Sequence, residues 1–146
     1  MSDKINNIID SGLKHQLGSL YHYLSKKLNI RKIPRLKVVN DKKNHDNPFG
    51  YTAYYKNNTI TLYITGRHST DILRSFAHEV IHHWQNERGT LRDSNSNDPG
   101  YAQSDEWLRR REMEAYLFGN LLFRDWQDEN RNGPPKNIPF LPQPLD

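Results

Sequence analysis

At 146 residues the chain is sized for one domain with a modest core, and its mean hydropathy of −0.97 with 34% hydrophobic residues is low for a globular protein. Eight tyrosines, five phenylalanines and three tryptophans argue against disorder, and the absence of cysteine excludes disulfides and thiolate ligands, so any metal must be held by His, Asp or Glu. No apolar run approaches the roughly 20 residues of a membrane span, and MSDKINNIID lacks the apolar core of a signal peptide, so a soluble, unsecreted, cytoplasmic protein with no membrane partner is expected.

The 21 basic and 17 acidic residues leave a net charge of +4. The excess is concentrated between Lys26 and Lys43, where Lys26, Lys27, Arg31, Lys32, Arg35, Lys37, Lys42 and Lys43 face a single acid, Asp41. Such a run is most often a solvated surface, and in the alternative it attracts the phosphates of a nucleic acid.

In chain order, Ile5, Ile8, Ile9, Leu13, Leu17, Leu20, Leu24 and Leu28 recur at three- and four-residue spacing and predict an amphipathic helix over roughly residues 4 to 28. His15 and His22 within it carry no metal pattern and are expected at the surface. Pro34 breaks the chain, and RLKVVN (35–40) predicts a short strand. A polar loop, DKKNHDNPFG, follows. Residues 51–55 and 59–65, rich in Tyr, Thr and Ile, predict a hairpin turned at Lys56-Asn57-Asn58, because Asn tolerates positive φ.

Gly66 closes the sheet, and Ser69 or Thr70 is the expected N-cap of a helix ending near residues 86–88 at Gly89. Its apolar residues Ile72, Leu73, Phe76, Ala77, Val80, Ile81 and Trp84 exceed one stripe, which predicts a central, largely buried helix. The polar stretch from Gly89 to Ser104 is long for a loop in a compact domain. Ser104-Asp105-Glu106 then caps a predicted helix over 105–129, carrying Trp107, Leu108, Met113, Ala115, Leu117, Phe118, Leu121, Leu122 and Trp126. Trp84, Trp107 and Trp126 read as core. GPPKNIPFLPQPLD (133–146) is an extended, proline-rich tail, free or laid along a surface or partner, leaving one domain over 1–132. The expected class is α+β.

The buried helix carries His78-Glu79-Val80-Ile81-His82. Residues four apart stand one turn apart on one helix face, so His78 and His82 can offer imidazole nitrogens to one ion, with Glu79 on the same side in reach of a water held there. Shuffling this composition produces the pattern about 0.013 times per chain, so coincidence is a poor explanation. A catalytic zinc generally has three protein ligands and an open position. No histidine follows His83, which leaves the acids of the next helix, Glu112 and Glu114, about 200° apart so that one of them faces the metal. Glu112 shares its face with Ala115, Tyr116 and Gly119, where small residues let two helices approach closely, and is the preferred ligand. Glu114 stands with Leu117, Phe118 and Leu121, and as the loser reads as a surface acid paired with Arg110 or Arg111. Gln85, one turn beyond His82, is placed to orient it. His83 reads as a helix-surface histidine, and His45 and His68 as loop histidines.

His78-Glu79-x-x-His82, a 29-residue gap, then Glu112-x-x-Ala115 opening EMEAYLFGNLL resembles the gluzincin metallopeptidases, and most closely the ImmA/IrrE-type branch and small HExxH proteins of bacteriophages. That pattern reads Glu-x-x-Ala-Asn-x-Phe-Ala before a Leu pair. The chain matches it at Glu112, Ala115, Phe118, Leu121 and Leu122 and departs at Tyr116 and Gly119. Over roughly residues 50–125 the resemblance implies a zincin core of helix, small mostly antiparallel sheet, His helix and Glu helix. It implies Zn²⁺ held by His78, His82 and Glu112, with Glu79 as general base in hydrolysis of a polypeptide substrate. It further implies an oxyanion donor, for which Tyr116, Tyr101 and His83 are candidates, and a hairpin edge over 51–55 that pairs with extended peptide. A phage-encoded protein would act in the host cytoplasm or the virion. The alternatives are a metal-stabilised structural component whose proline tail docks on a partner, and a nucleic-acid-associated protein using residues 26–43.

Overall fold

The computed structural model describes residues 11–90 and 106–132. Its elements are α1 (Ser11–Leu28), β1 (Arg35–Val39), α2 (Lys42–Asp46), β2 (Ala53–Lys56), β3 (Thr59–Tyr63), α3 (Ser69–Glu87) and α4 (Glu106–Asn132), an α+β arrangement. The predicted start of the first helix, most of the 89–104 stretch, the cap at Ser104-Asp105 and the proline tail lie outside the described residues.

In α1 the leucines at 13, 17, 20, 24 and 28 form the buried stripe, and His15 and His22 are exposed as expected. The helix ends where Asn29 takes a left-handed φ of 55° and the Ile30 amide donates back to the Ser25 carbonyl. The polar stretch after β1, predicted as loop, instead contains the single-turn helix α2. Asp41 accepts from the Lys43 and Asn44 amides, and that cap is enough to nucleate one turn. Asn57 and Asn58, at φ 54° and 59°, supply the two consecutive positive-φ residues that a two-residue hairpin turn requires, so Lys56 belongs to β2 and not to the turn.

The sheet runs β1-β3-β2. It is mixed where a mostly antiparallel sheet was expected: β2 pairs antiparallel with β3, and β1 lies parallel to β3 with Leu36 opposite Ile60 and Val38 opposite Leu62. β2 is therefore an edge strand. Ile60 and Leu62 are fully buried on the face that receives α3.

Helix α3 is the middle of the molecule, packed against α1, α4, β2 and β3. Ile72, Leu73, Phe76, Ala77, Val80 and Ile81 are all buried, and withdrawing each of the larger side chains from water contributes roughly 1.5–3 kcal/mol. The helix begins one or two residues earlier than expected, with His68 and not Ser69 or Thr70 at its N-cap and no side-chain cap bond there. Its start is secured by Arg67, whose guanidinium donates to the Tyr63, Thr52 and Asp71 carbonyls and to Ser75 Oγ, tying sheet to helix. Gly89, at φ +73°, terminates it.

On α4, Ala115, Phe118, Leu122, Phe123 and Trp126 enter the core, and Trp126 donates to Ser19 Oγ of α1. Met113 and Leu117 are exposed, although periodicity placed them among the apolar positions. Of the tryptophans, Trp126 is buried, and Trp84 and Trp107 are half-buried, with Trp84 packed between Phe118 and the Arg88 guanidinium. No described helix is long and apolar enough to cross a membrane.

Candidate metal centre

His78 and His82 stand one turn apart on the face of α3 that meets α4, their rings 4.8 Å apart and nearly perpendicular. Glu112 reaches across from α4: its Oε1 lies 2.7 Å from His82 Nε2 and its Oε2 3.4 Å from His78 Nε2. Among the described residues this is the one group of three metal-ligating side chains that converges, with all donor atoms within 4.8 Å of one another. Four ligands at zinc-type bond lengths are separated by about 3.4 Å. The contacts to the two Glu112 oxygens, 3.4 Å from His78 and 2.7 Å from His82, and the 4.8 Å limit on the whole donor set bracket that spacing, and the 43%-exposed side chain of Glu112 has room to rotate into it.

The approach of the two helices depends on Gly119. A Cβ there would lie 3.3 Å from His78 Cα and 3.4 Å from His78 N, so even Ala would press on the backbone that carries the first histidine. Ala115 is fully buried at the same interface. The face chosen for Glu112 is thus the face on which α4 approaches α3.

Glu114 is not a surface acid. It is 0% exposed, 3.6 Å from Nη1 of Arg111, itself 1% exposed, and it accepts a 2.8 Å hydrogen bond from Gln85 Nε2. Gln85 Nε2 also donates to the Arg111 carbonyl. With its nitrogen committed to two acceptors, the amide must turn its oxygen toward His82 Nδ1, 2.8 Å away, so Nδ1 is the donor. His82 Nε2 is thereby aimed at Glu112. The apolar neighbours of Glu114 in sequence were the signal for its burial, and Arg111, one turn away, for its partner.

His83 is likewise buried, not at the helix surface. Its Nε2 donates to the Lys32 carbonyl and its Nδ1 faces the Tyr55 hydroxyl at 2.9 Å. Asn86 and Asn58 join Tyr55, while Glu87 accepts from the Arg31 and Lys32 amides. The network pins the β2 edge and the chain entering β1 to α3. His83 is therefore a structural tie and no oxyanion donor. Of the other candidates, Tyr101 lies outside the described residues, and Tyr116 places its ring 4.5 Å from that of His78. His45 lies in α2, exposed, and His68 is the N-cap of α3.

A cleft of about 740 Å³ opens over the cluster, walled by β2 and its turn on one side and by Leu108, Glu112, Tyr116 and Asn120 of α4 on the other, with Glu79 on its floor. Burial pushes the Glu79 carboxyl above the usual range, and the charge of Glu112 adds to this against the opposing pull of His82 and His78. Burial works against the charge of Glu112 too, but hydrogen bonds and attraction from both histidines outweigh it and hold this carboxyl well below its ordinary value. His82 is raised: burial disfavours its imidazolium, and Glu112, Glu79 and Gln85 together more than offset that.

Comparison with protein-family profiles, with curated proteins and with solved structures finds no match.

Proposed function

We propose that the protein is a zinc-dependent peptidase. The observation that carries this reading is the meeting of Glu112 with both Nε2 atoms of a His-Glu-x-x-His helix beside an open cleft and a strand, β2, that stands at the sheet edge among the described residues. His78, His82 and Glu112 would hold the ion. When bound there, zinc supplies Lewis-acid polarisation of a water and of the scissile carbonyl. Glu79 takes the proton of the attacking water and delivers it to the leaving amine. A buried carboxyl with a raised pKa suits both transfers, because it binds and releases a proton nearer neutral pH than a solvated one. Gln85 holds His82 in the tautomer that presents Nε2. The edge of β2 offers backbone groups to an extended peptide, which aligns a polypeptide across the cleft. Tyr116, beside His78, is the candidate donor to the developing oxyanion.

Glu79→Gln tests the reading. It should keep one zinc per chain and lower cleavage of an unstructured test protein at least 100-fold. Cleavage at the wild-type rate overturns the assignment.

A further inference from the structure

We infer that the outer face of the sheet, opposite α3, is a binding site for single-stranded nucleic acid; this does not depend on the peptidase reading. The strand register fixes what the face presents. Residues paired across neighbouring strands point to one side, and Ile60 and Leu62 point to α3, so Thr59, Thr61 and Tyr63 point away with their partners. One row is Arg35, Thr59 and Lys56, the next Lys37, Thr61 and Tyr54, and the last begins with Val39 and Tyr63. Arg35, Lys37, Lys56 and Tyr54 are exposed. No carboxylate occurs in these rows, and among the described residues no helix packs on this side.

The threonines of β3 are short and stand between longer residues, Thr61 lying 3% exposed between Lys37 and Tyr54. The face therefore presents cations along β1 and Lys56 and Tyr54 along β2. At its Tyr63 end Tyr51, 63% exposed, stacks on Tyr63 at 5.9 Å, and its edge meets Tyr54 at 5.7 Å. Beyond β1, Lys42 and Lys43 are balanced by Asp41 and Asp46, so the positive charge is that of Arg35, Lys37 and Lys56, and Phe49 stands 92% exposed before Tyr51.

Cations two residues apart on a strand, roughly 6.6 Å, with aromatic faces beside them, offer both interactions that hold single strands: phosphate neutralisation and base stacking. A duplex keeps its bases stacked internally and could use the cations alone. An acidic polypeptide would likewise leave the tyrosines without a role. The combination favours single-stranded DNA or RNA. Tyr54 and Lys56 also wall the cleft, so the face adjoins the metal centre at the β2 edge.

The test titrates the full chain into a fluorescently labelled 12-nucleotide oligo-dT at 50 mM salt and follows anisotropy. Saturable binding is expected, weakening about 20-fold between 50 and 200 mM salt if three cations release counterions. Arg35→Gln and Lys37→Gln should each flatten the salt dependence by about one cation. Tyr51→Ala should weaken binding five-fold or more with the salt slope unchanged, and Tyr51→Phe should restore it. Thermal unfolding and zinc content, unaltered in the Arg35, Lys37 and Tyr51 variants, show that the fold is intact. Absence of binding at 50 mM salt overturns the inference. So does binding indifferent to Tyr51→Ala, equal or tighter binding of a duplex of the same length, or displacement of the oligonucleotide by polyglutamate at equal charge.

Discussion

Glu112 and Glu114 are two residues apart on one helix, and their removal should have opposite consequences. Glu114→Ala takes the carboxylate from a guanidinium that is 1% exposed and removes an acceptor from Gln85. Breaking a buried pair on one side costs about 3–5 kcal/mol. For a chain of this length that lowers the melting temperature by roughly 10–15 °C. Glu112→Ala removes a half-exposed carboxylate whose pairing with His82 in the metal-free protein contributes at most about 1 kcal/mol, so the metal-free variant should melt within about 3 °C of wild type. If the site binds zinc as proposed, the ranking should reverse: at 100 times its dissociation constant the ion would stabilise the wild-type protein by about 2.7 kcal/mol, or roughly 8 °C. A variant that binds 100-fold more weakly gains about 0.4 kcal/mol at the same concentration. Thermal unfolding followed by circular dichroism, with chelator and with zinc, reads both effects on wild type and the two variants. A Glu114→Ala protein that melts with wild type, or a Glu112→Ala protein that keeps the full zinc-induced rise, would refute the assignment of one acid to the core and the other to the metal.

Three further outcomes follow from the same cluster. Zinc affinity should rise with pH, because His82 carries a raised pKa and must lose its Nε2 proton to act as a ligand; calorimetry near pH 6.5 in buffers of different ionisation enthalpy should show net proton release on zinc binding, and proton-independent binding would contradict it. The sign for stability is opposite. In metal-free protein the His82 contribution is fully present below the ordinary histidine value of 6.5 and is lost as pH rises through the raised one, whereas that of Glu112 is present above 4.5 and lost as pH falls through its lowered value. Gln85→Ala should lower zinc affinity 10- to 100-fold in a chelator competition, since the imidazole of His82 then loses the acceptor that fixes its tautomer; an unchanged affinity removes Gln85 from that role.

Local patterns in the chain were enough to place its elements. Leucine spacing in α1, the apolar excess of α3 and the Asn57-Asn58 turn each act over a few residues, where chain geometry leaves little choice. The pairing of His78 with His82 is equally local, since one helical turn brings them together whatever surrounds the helix. Asp41 shows the limit of such patterns: a single capping side chain turned an expected loop into α2.

What pattern reading could not decide was the environment of polar residues whose partners lie far along the chain. His83 looked like a surface histidine until Lys32 and Tyr55, 51 and 28 residues away, closed over it. Met113 and Leu117 fitted the apolar period of α4, yet Arg111 and Glu114 took the buried positions, because a guanidinium 3.6 Å from a carboxylate that also accepts from Gln85 can enter a core that neither charge could enter alone. The sequence by itself determined the His78–His82 pair and reduced its partner to two acids. The tertiary structure chose between them, since only the approach of α4 over Gly119 sets which face of that helix meets the histidines and which sinks into the interior.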